Sequence, residues 1–322
     1  MSESKGKSCR HAFTESLLEM ARGDESIIAV TSDAKGSVTL GDFEKELPEQ
    51  FLEMGIAEQN TVGVAAGLAR CGRRPFVCGP ACFYSARAIE QVKNDVAYAD
   101  TNVKIVGVSG GVSYGALGST HHSLHDIAFM RAIPNMSIIL PCDIYQTEAA
   151  TRFLASHVGP VYMRLGRGAV PSVYSGVEGS FVFGRANTLR EGGDCTIIAT
   201  GEMVYQATVA AQELGSRGIE ARVLDFPTLK PLDTIAIKLA AEETGAIITI
   251  EEHSIYGGLG AAVAEVVVQN HPVPMKILGF PDEFVPSGSS AELFDYYGLT
   301  APKLAESIEL FLEGSRVHRM SR

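Results

Sequence analysis

Residues 54–78 read MGIAEQNTVGVAAGLARCGRRPFVC. Small residues crowd Val62–Arg70, so the spacing predicts a helix over Gln59–Arg70 that packs closely. It leads into a short apolar strand at Pro75–Cys78. Working outward, the same alternation recurs. Upstream, a helix over His11–Arg22 feeds a strand over Ile27–Ser32. Downstream come a helix over Ala86–Ala99 and strands over Val103–Ser109 and Ser137–Leu140. Short, continuously apolar strands between helices indicate parallel sheets buried on both faces, hence a doubly wound α/β fold.

Periodicity stops near Pro171–Gly179, where Pro, Ser and Gly cluster. Beyond it strands over Cys195–Thr200, Glu220–Asp225 and Ala246–Glu251 alternate with helices over Tyr205–Arg217, Asp233–Thr244 and Leu259–Asn270, and a helix over Lys303–Leu312 closes a second, smaller α/β unit. The expected domains are 8–172 and 188–314. The tail Glu313–Arg322 is polar and expected to fray.

The 322 residues are 46% apolar and 20% charged, a globular composition. A net charge of −11 repels nucleic acid and anionic lipid. The polar start Met1–Arg10 carries no leader pattern, and no apolar run has the length of a membrane span, so a soluble cytoplasmic protein is expected. The 6 cysteines form no CxxC pair. Cys78 and Cys82 read as a redox couple or, preferably, as buried small hydrophobes.

Several segments carry chemistry or packing. Gly257–Ala261 opens a helix after a strand, as dinucleotide fingerprints do, but about six residues separate it from the strand end, which favours a packing loop. Glu251 and Glu252 at that strand end read as functional groups or as solvated or interface residues. In the run Thr120–His125, His121 and His125 would share a helix face as zinc ligands do. No third ligand is evident, and a substrate-facing proton donor or acceptor is preferred for His121, with His125 read as a core histidine. Glu58, in an otherwise apolar run, is either a helix N-terminal charge or an acid buried for chemistry. Phe83 and Tyr84 follow a strand end, where an aromatic packs or faces a ligand.

In combination and order, Ser32–Ser37, Gly55–Asn60, Phe83–Gln91, Gly115–His121, Ile133–Pro141 and Arg164–Gly168 resemble the C-terminal half of the transketolase family over nearly the whole chain. The fold implied is a pyrimidine-binding domain followed by a smaller C-terminal domain. The cofactor implied is thiamine diphosphate. Glu58 then corresponds to the acid that hydrogen-bonds ring nitrogen N1′ of the aminopyrimidine, whose exocyclic nitrogen takes the proton from thiazolium C2. The apolar letters of Met54–Ala57 would keep such an acid protonated by desolvation. Tyr84 aligns with the stacking aromatic, Phe83 lies beside it, and Asp33 lies near the cofactor. His121 corresponds to the histidine that contacts donor hydroxyls and moves protons. Arg10, Ser37 and Arg167 fall where the family holds a sugar phosphate. Leu117 replaces an Asp that reads the acceptor, Ser109 a phosphate-binding His, and Ala34 a bulkier support for the cofactor, so the acceptor stays open.

The family holds the diphosphate through Mg²⁺ on a Gly-Asp-Gly motif followed by an Asn about 25–30 residues later. No such motif stands in this chain. The resemblance therefore implies an N-terminal partner subunit carrying the diphosphate domain and Mg²⁺, with two copies of each chain in an α₂β₂ assembly. Its reaction would move a two-carbon ketol unit from a ketose or ketose phosphate to an aldose acceptor. Two alternatives share these residues or the fold: the beta subunit of a 2-oxoacid dehydrogenase, or a deoxyxylulose-phosphate-synthase-like enzyme, and a non-catalytic scaffolding subunit.

Overall fold

The computed structural model describes residues 7–320. The rest of the polar start and residues 321–322 lie outside the described residues. In chain order the first unit runs α1 (Cys9–Ala21), β1 (Ile27–Thr31), α2 (Gly41–Glu46), β2 (Phe51–Glu53), α3 (Glu58–Arg70), β3 (Arg74–Pro80), α4 (Ile89–Gln91), β4 (Lys104–Val108), α5 (Asp126–Ala132), β5 (Ser137–Ile139), α6 (Ile144–Ser156) and β6 (Val161–Leu165). The second runs β7 (Asn187–Arg190), β8 (Cys195–Ala199), α7 (Met203–Ser216), β9 (Ala221–Asp225), β10 (Thr228–Lys230), α8 (Thr234–Thr244), β11 (Ile247–Ser254), α9 (Leu259–Asn270), β12 (Met275–Phe280), α10 (Ser290–Tyr296) and α11 (Ala301–Met320).

The 7-stranded sheet has the order β10-β5-β6-β4-β3-β1-β2 and the 5-stranded sheet the order β12-β11-β8-β9-β7. All pairings are parallel except those of β10 with β5 and β7 with β9. β1, β4, β6 and β8 are buried at every position, as strands covered by helices on both faces must be. The chain leaves β1 toward β2 and returns on its other side as β3. The carboxyl ends of β1 and β3 therefore flank a switch point, where ligands bind in doubly wound sheets.

Several details differ from the sequence reading. The helix expected over Ala86–Ala99 is α4 flanked by two π-helical segments, Phe83–Arg87 and Val92–Tyr98. The tail expected to fray continues α11 to Met320. β10, from the second unit, joins the first sheet, and Leu140, Phe226 and Leu229 belong to one apolar core that runs between the units. Cys78 is buried and unbridged, and Cys82 is a partly buried thiol pushed up to about 12 by burial. No helix among the described residues is long and apolar enough to cross a membrane.

Candidate active site

Glu58 opens α3, where a carboxylate complements the positive end of the helix dipole. It is 3% exposed, and both its oxygens accept from Nη1 of Arg87 at 2.8 Å. The enclosure expected from Met54–Ala57 is not there: Ile56 is 75% exposed. The ion partner of Glu58 comes from the π-helical turn after β3. Next to it, Glu53 ties the ends of β1 and β2 together, accepting from the backbone N–H of Asp33 at 2.7 Å and of Gly55 at 3.0 Å. Asp33 itself is exposed and sits in the left-handed region at φ 52°.

Phe83 and Tyr84 face opposite ways. Tyr84 is fully buried, its hydroxyl 2.9 Å from Ser32 Oγ, with its ring against the bare Cα of Gly79. Burial raises its phenol above the ordinary value. Tyr84, expected to cover a ligand face, thus lies in the crevice between the ends of β1 and β3. Phe83, half-buried, is the aromatic at the mouth. The Arg87 guanidinium lies 4.4 Å from the Phe83 ring centre, and His121 meets the same ring edge-on at 5.4 Å.

From His121 the row continues. Its ring is edge-on to Tyr114 at 5.7 Å, and the Arg167 guanidinium lies 4.9 Å from the centre of the Tyr114 ring. Arg167 and Arg10 share a cleft of about 490 Å³ between the two units, together with Ser113, Glu202, Glu252 and Ser290. Arg10 donates through Nη1 to the Ser37 carbonyl at 2.7 Å. Arg10 Nε and Arg167 Nη1 are buried without a hydrogen-bond partner among the described residues. Burial, with the like charge of Arg167 second, lowers Arg10 from the usual guanidinium value. Glu58, Arg87, Phe83, His121, Tyr114, Arg167 and Arg10 thus form one contiguous line.

The histidines separate. His121 is on a loop, its Nδ1 2.9 Å from Thr120 Oγ1, and α5 starts only at Asp126, so the helical zinc geometry does not arise. His125, expected in the core, is exposed and stacks on Phe129 at 6.3 Å; His122 is the buried one. No group of three His, Cys, Asp or Glu among the described residues converges as a metal site.

At Gly257–Gly260 the anion position at the N-terminus of α9 is filled from within. Glu251 accepts from the backbone N–H groups of Leu259 at 2.7 Å and Gly260 at 2.8 Å, which leaves no room for a pyrophosphate. Glu252 is an interface residue: it accepts from the Val112 N–H at 2.8 Å, and Arg164 donates to its carbonyl at 2.7 Å. Burial pushes Glu251 and Glu252 up to about 7. Glu202, beside them and with a buried unpartnered Oε1, is pushed by burial and by the Glu252 charge to about 8.

Arg87, Tyr114, Glu53 and Glu202 escaped the sequence reading. Arg87 lay inside the segment Phe83–Gln91 and Tyr114 just ahead of Gly115–His121, but only their contacts distinguish them. The donor set fits an aminopyrimidine: a buried acid at the switch-point crevice, an aromatic at its mouth, and a charged partner half exposed on the same edge.

Residues 5–172 match the family described as transketolase, pyrimidine binding domain, and residues 184–304 the family described as transketolase, C-terminal domain. The chain belongs to the transketolase family. It is 60% identical over 291 residues to one of the subunits of the apulose-4-phosphate transketolase of Phocaeicola vulgatus, covering 90% of this chain and 93% of that one. It is 42% identical over 298 residues to the 6-deoxy-6-sulfo-D-fructose transketolase subunit SqwH of a Clostridium species, covering 92% of each. Among solved structures it resembles one described as a split gene transketolase, inactive beta4 tetramer, with a TM-score of 0.87 and 40% identity over 96% of this chain and 99% of that one.

Proposed function

We propose that this chain is the C-terminal subunit of a split, thiamine-diphosphate-dependent transketolase. It supplies the pyrimidine side of the active site, and an N-terminal partner supplies the diphosphate site with its Mg²⁺. In the cytoplasmic α₂β₂ complex a two-carbon ketol unit passes from a ketose phosphate, or a similarly anionic ketose, to an aldose acceptor. The observation that carries this reading is the unbroken line from Glu58 to Arg10, which sets a buried acid at one end and two guanidiniums at the other.

Thiamine diphosphate, when bound, supplies the nucleophilic carbon and the electron sink. The roles of the chain's own residues follow from position. Glu58 presents its carboxyl at the pyrimidine-facing end, where Arg87 holds both of its oxygens. Phe83 offers an apolar edge that excludes water, and the buried Tyr84 fixes the crevice floor through Ser32 and Gly79. His121 lies between Phe83 and Tyr114, where its free ring edge can move a proton at a substrate hydroxyl. Asp33, held by Glu53, borders the cofactor end, and Arg10, Arg167 and Ser37 form the anion end.

The names of the two relatives carry anionic sugars, a 4-phosphate and a 6-sulfo sugar, and a pair of guanidinium forks suits either tetrahedral anion. The name of the structural relative, an inactive β₄ tetramer, fits a chain that needs its partner. The test is reconstitution with the partner chain, thiamine diphosphate and Mg²⁺, followed by mass spectrometry of ketose donors mixed with aldose acceptors. Sugars lengthened by two carbons, formed only when both chains are present, are the expected result. Carbon dioxide released from pyruvate without an aldose acceptor would contradict it.

A further inference from the structure

We infer that the second unit positions the site residues: Glu252, Ser290 and the backbone of residues 285–288 clasp the loop 112–121 that carries Tyr114 and His121. The enzymatic part of this inference rests on the reading under Proposed function; the clasp itself does not. The loop has short-range bonds of its own: the Gly115, Leu117, Gly118 and His121 N–H groups each donate to the carbonyl three residues back, and Gly111 pairs with Ser123 at its base. Its regular structure is one 3₁₀ turn, Gly115–Leu117, and Gly115 and Gly118 widen the conformations open to it. Its outer side chains, Ala116 and Leu117, are exposed and hold nothing.

What fixes its place against the second unit crosses the interface. Glu252 accepts from the Val112 N–H at 2.8 Å, and Ser290 Oγ donates to the Val112 carbonyl at 3.0 Å. Further along, the Gly288 N–H donates to the Gly115 carbonyl at 3.2 Å, and Ser119 Oγ donates to the Val285 carbonyl at 2.7 Å. Contact is close enough to require glycine: a Cβ on Gly115 would strike the Gly288 carbonyl, and one on Gly118, at φ 72°, would lie 2.6 Å from Ser287 Oγ. Ser290 is in turn placed by the Ser289–Glu292 capping box that fixes the start of α10. With Val112 and Gly115 held, Tyr114 lies under Arg167 and against His121, the middle of the line described above. Ser119 and Ser290 are thus positioning residues, acting through Tyr114 and His121.

The test uses the full chain with both hydroxyls removed, Ser119→Ala with Ser290→Ala, beside the double threonine variant that keeps them. Amide hydrogen exchange at Gly115, Leu117, Gly118 and His121 should quicken about tenfold in the alanine pair, with β4 and α7 unchanged and the threonine pair restored. In the reconstituted complex the alanine pair should raise KM for the ketose about five- to tenfold, leaving half-saturation by thiamine diphosphate unchanged. Unchanged exchange in the loop overturns the inference. So does faster exchange spread evenly over both units with a lowered melting temperature, because the hydroxyls would then serve general stability. If the wild-type complex transfers no ketol unit, the enzymatic reading fails while the exchange measurement still decides the clasp.

Discussion

At the scale of single residues, the anion end of the line makes a sharp demand. Arg167 has one buried nitrogen without a hydrogen-bond partner among the described residues and is steadied by the face of Tyr114. A charge-assisted bond from that nitrogen to a sugar anion would contribute about 1.5–3 kcal/mol. Arg167→Ala should therefore raise KM for an anionic ketose about ten- to hundredfold with kcat little changed, as steady-state kinetics of the reconstituted complex would show; a fall in kcat alone would remove Arg167 from ground-state binding. Glu58, His121, Arg10 and Arg167 were singled out in the sequence, the two arginines through the family resemblance alone. Arg87 and Tyr114 were not. Their roles consist of where a guanidinium and a ring stand relative to neighbours, and spacing along the chain does not encode that. Phe83 and Tyr84 show the same limit: adjacent aromatics look interchangeable until Gly79 and Ser32 draw one of them inward.

At the scale of elements, β3 and the π-helical turn after it set the crevice. The Tyr84 ring sits on Gly79 so tightly that a Cβ there would overlap it. Gly79→Ala should destabilise the chain by about 1–3 kcal/mol through overpacking, seen as a lower urea midpoint with unchanged slope. A midpoint within error of wild type would mean that Tyr84 has room to move. The strands carrying continuous apolar runs were legible before the structure, whereas α6 was not named. Its buried face bears Gln146, Thr147 and Thr151, whose polar letters hide the helical stripe. The two threonines are satisfied locally, donating to the carbonyls of Asp143 and Thr147 at 2.6 and 2.7 Å, and Gln146 donates to Asp225 at 2.6 Å. β10 escaped for a different reason. A three-residue strand that pairs with the other unit's sheet owes its existence to docking and has no pattern of its own.

At the scale of the whole molecule, the interface between the units concentrates acids. Glu202 and Glu252 flank Arg164, and desolvation raises Glu202 to about 8 and Glu252 to about 7 from an ordinary 4.5. The folded chain thus keeps protons that the unfolded chain releases near pH 4.5. This contribution to stability is complete below that pH and is lost as pH rises through about 7 to 8. Glu202→Gln removes the titration at one site. Its melting temperature should exceed that of wild type at pH 8.5 and converge on it at pH 5; an equal offset at both values would assign the change to packing. The same interface holds the loop with Tyr114 and His121, so it links domain docking to the site. The proposed function requires Glu58 to be the chemically essential acid of an active site completed by a second chain. Its most direct test is steady-state ketol transfer by the reconstituted complex with Glu58→Gln, alongside circular dichroism and assembly. Turnover is expected to fall about a hundredfold or more while fold and assembly are kept; turnover near the wild-type rate would remove Glu58 from the role.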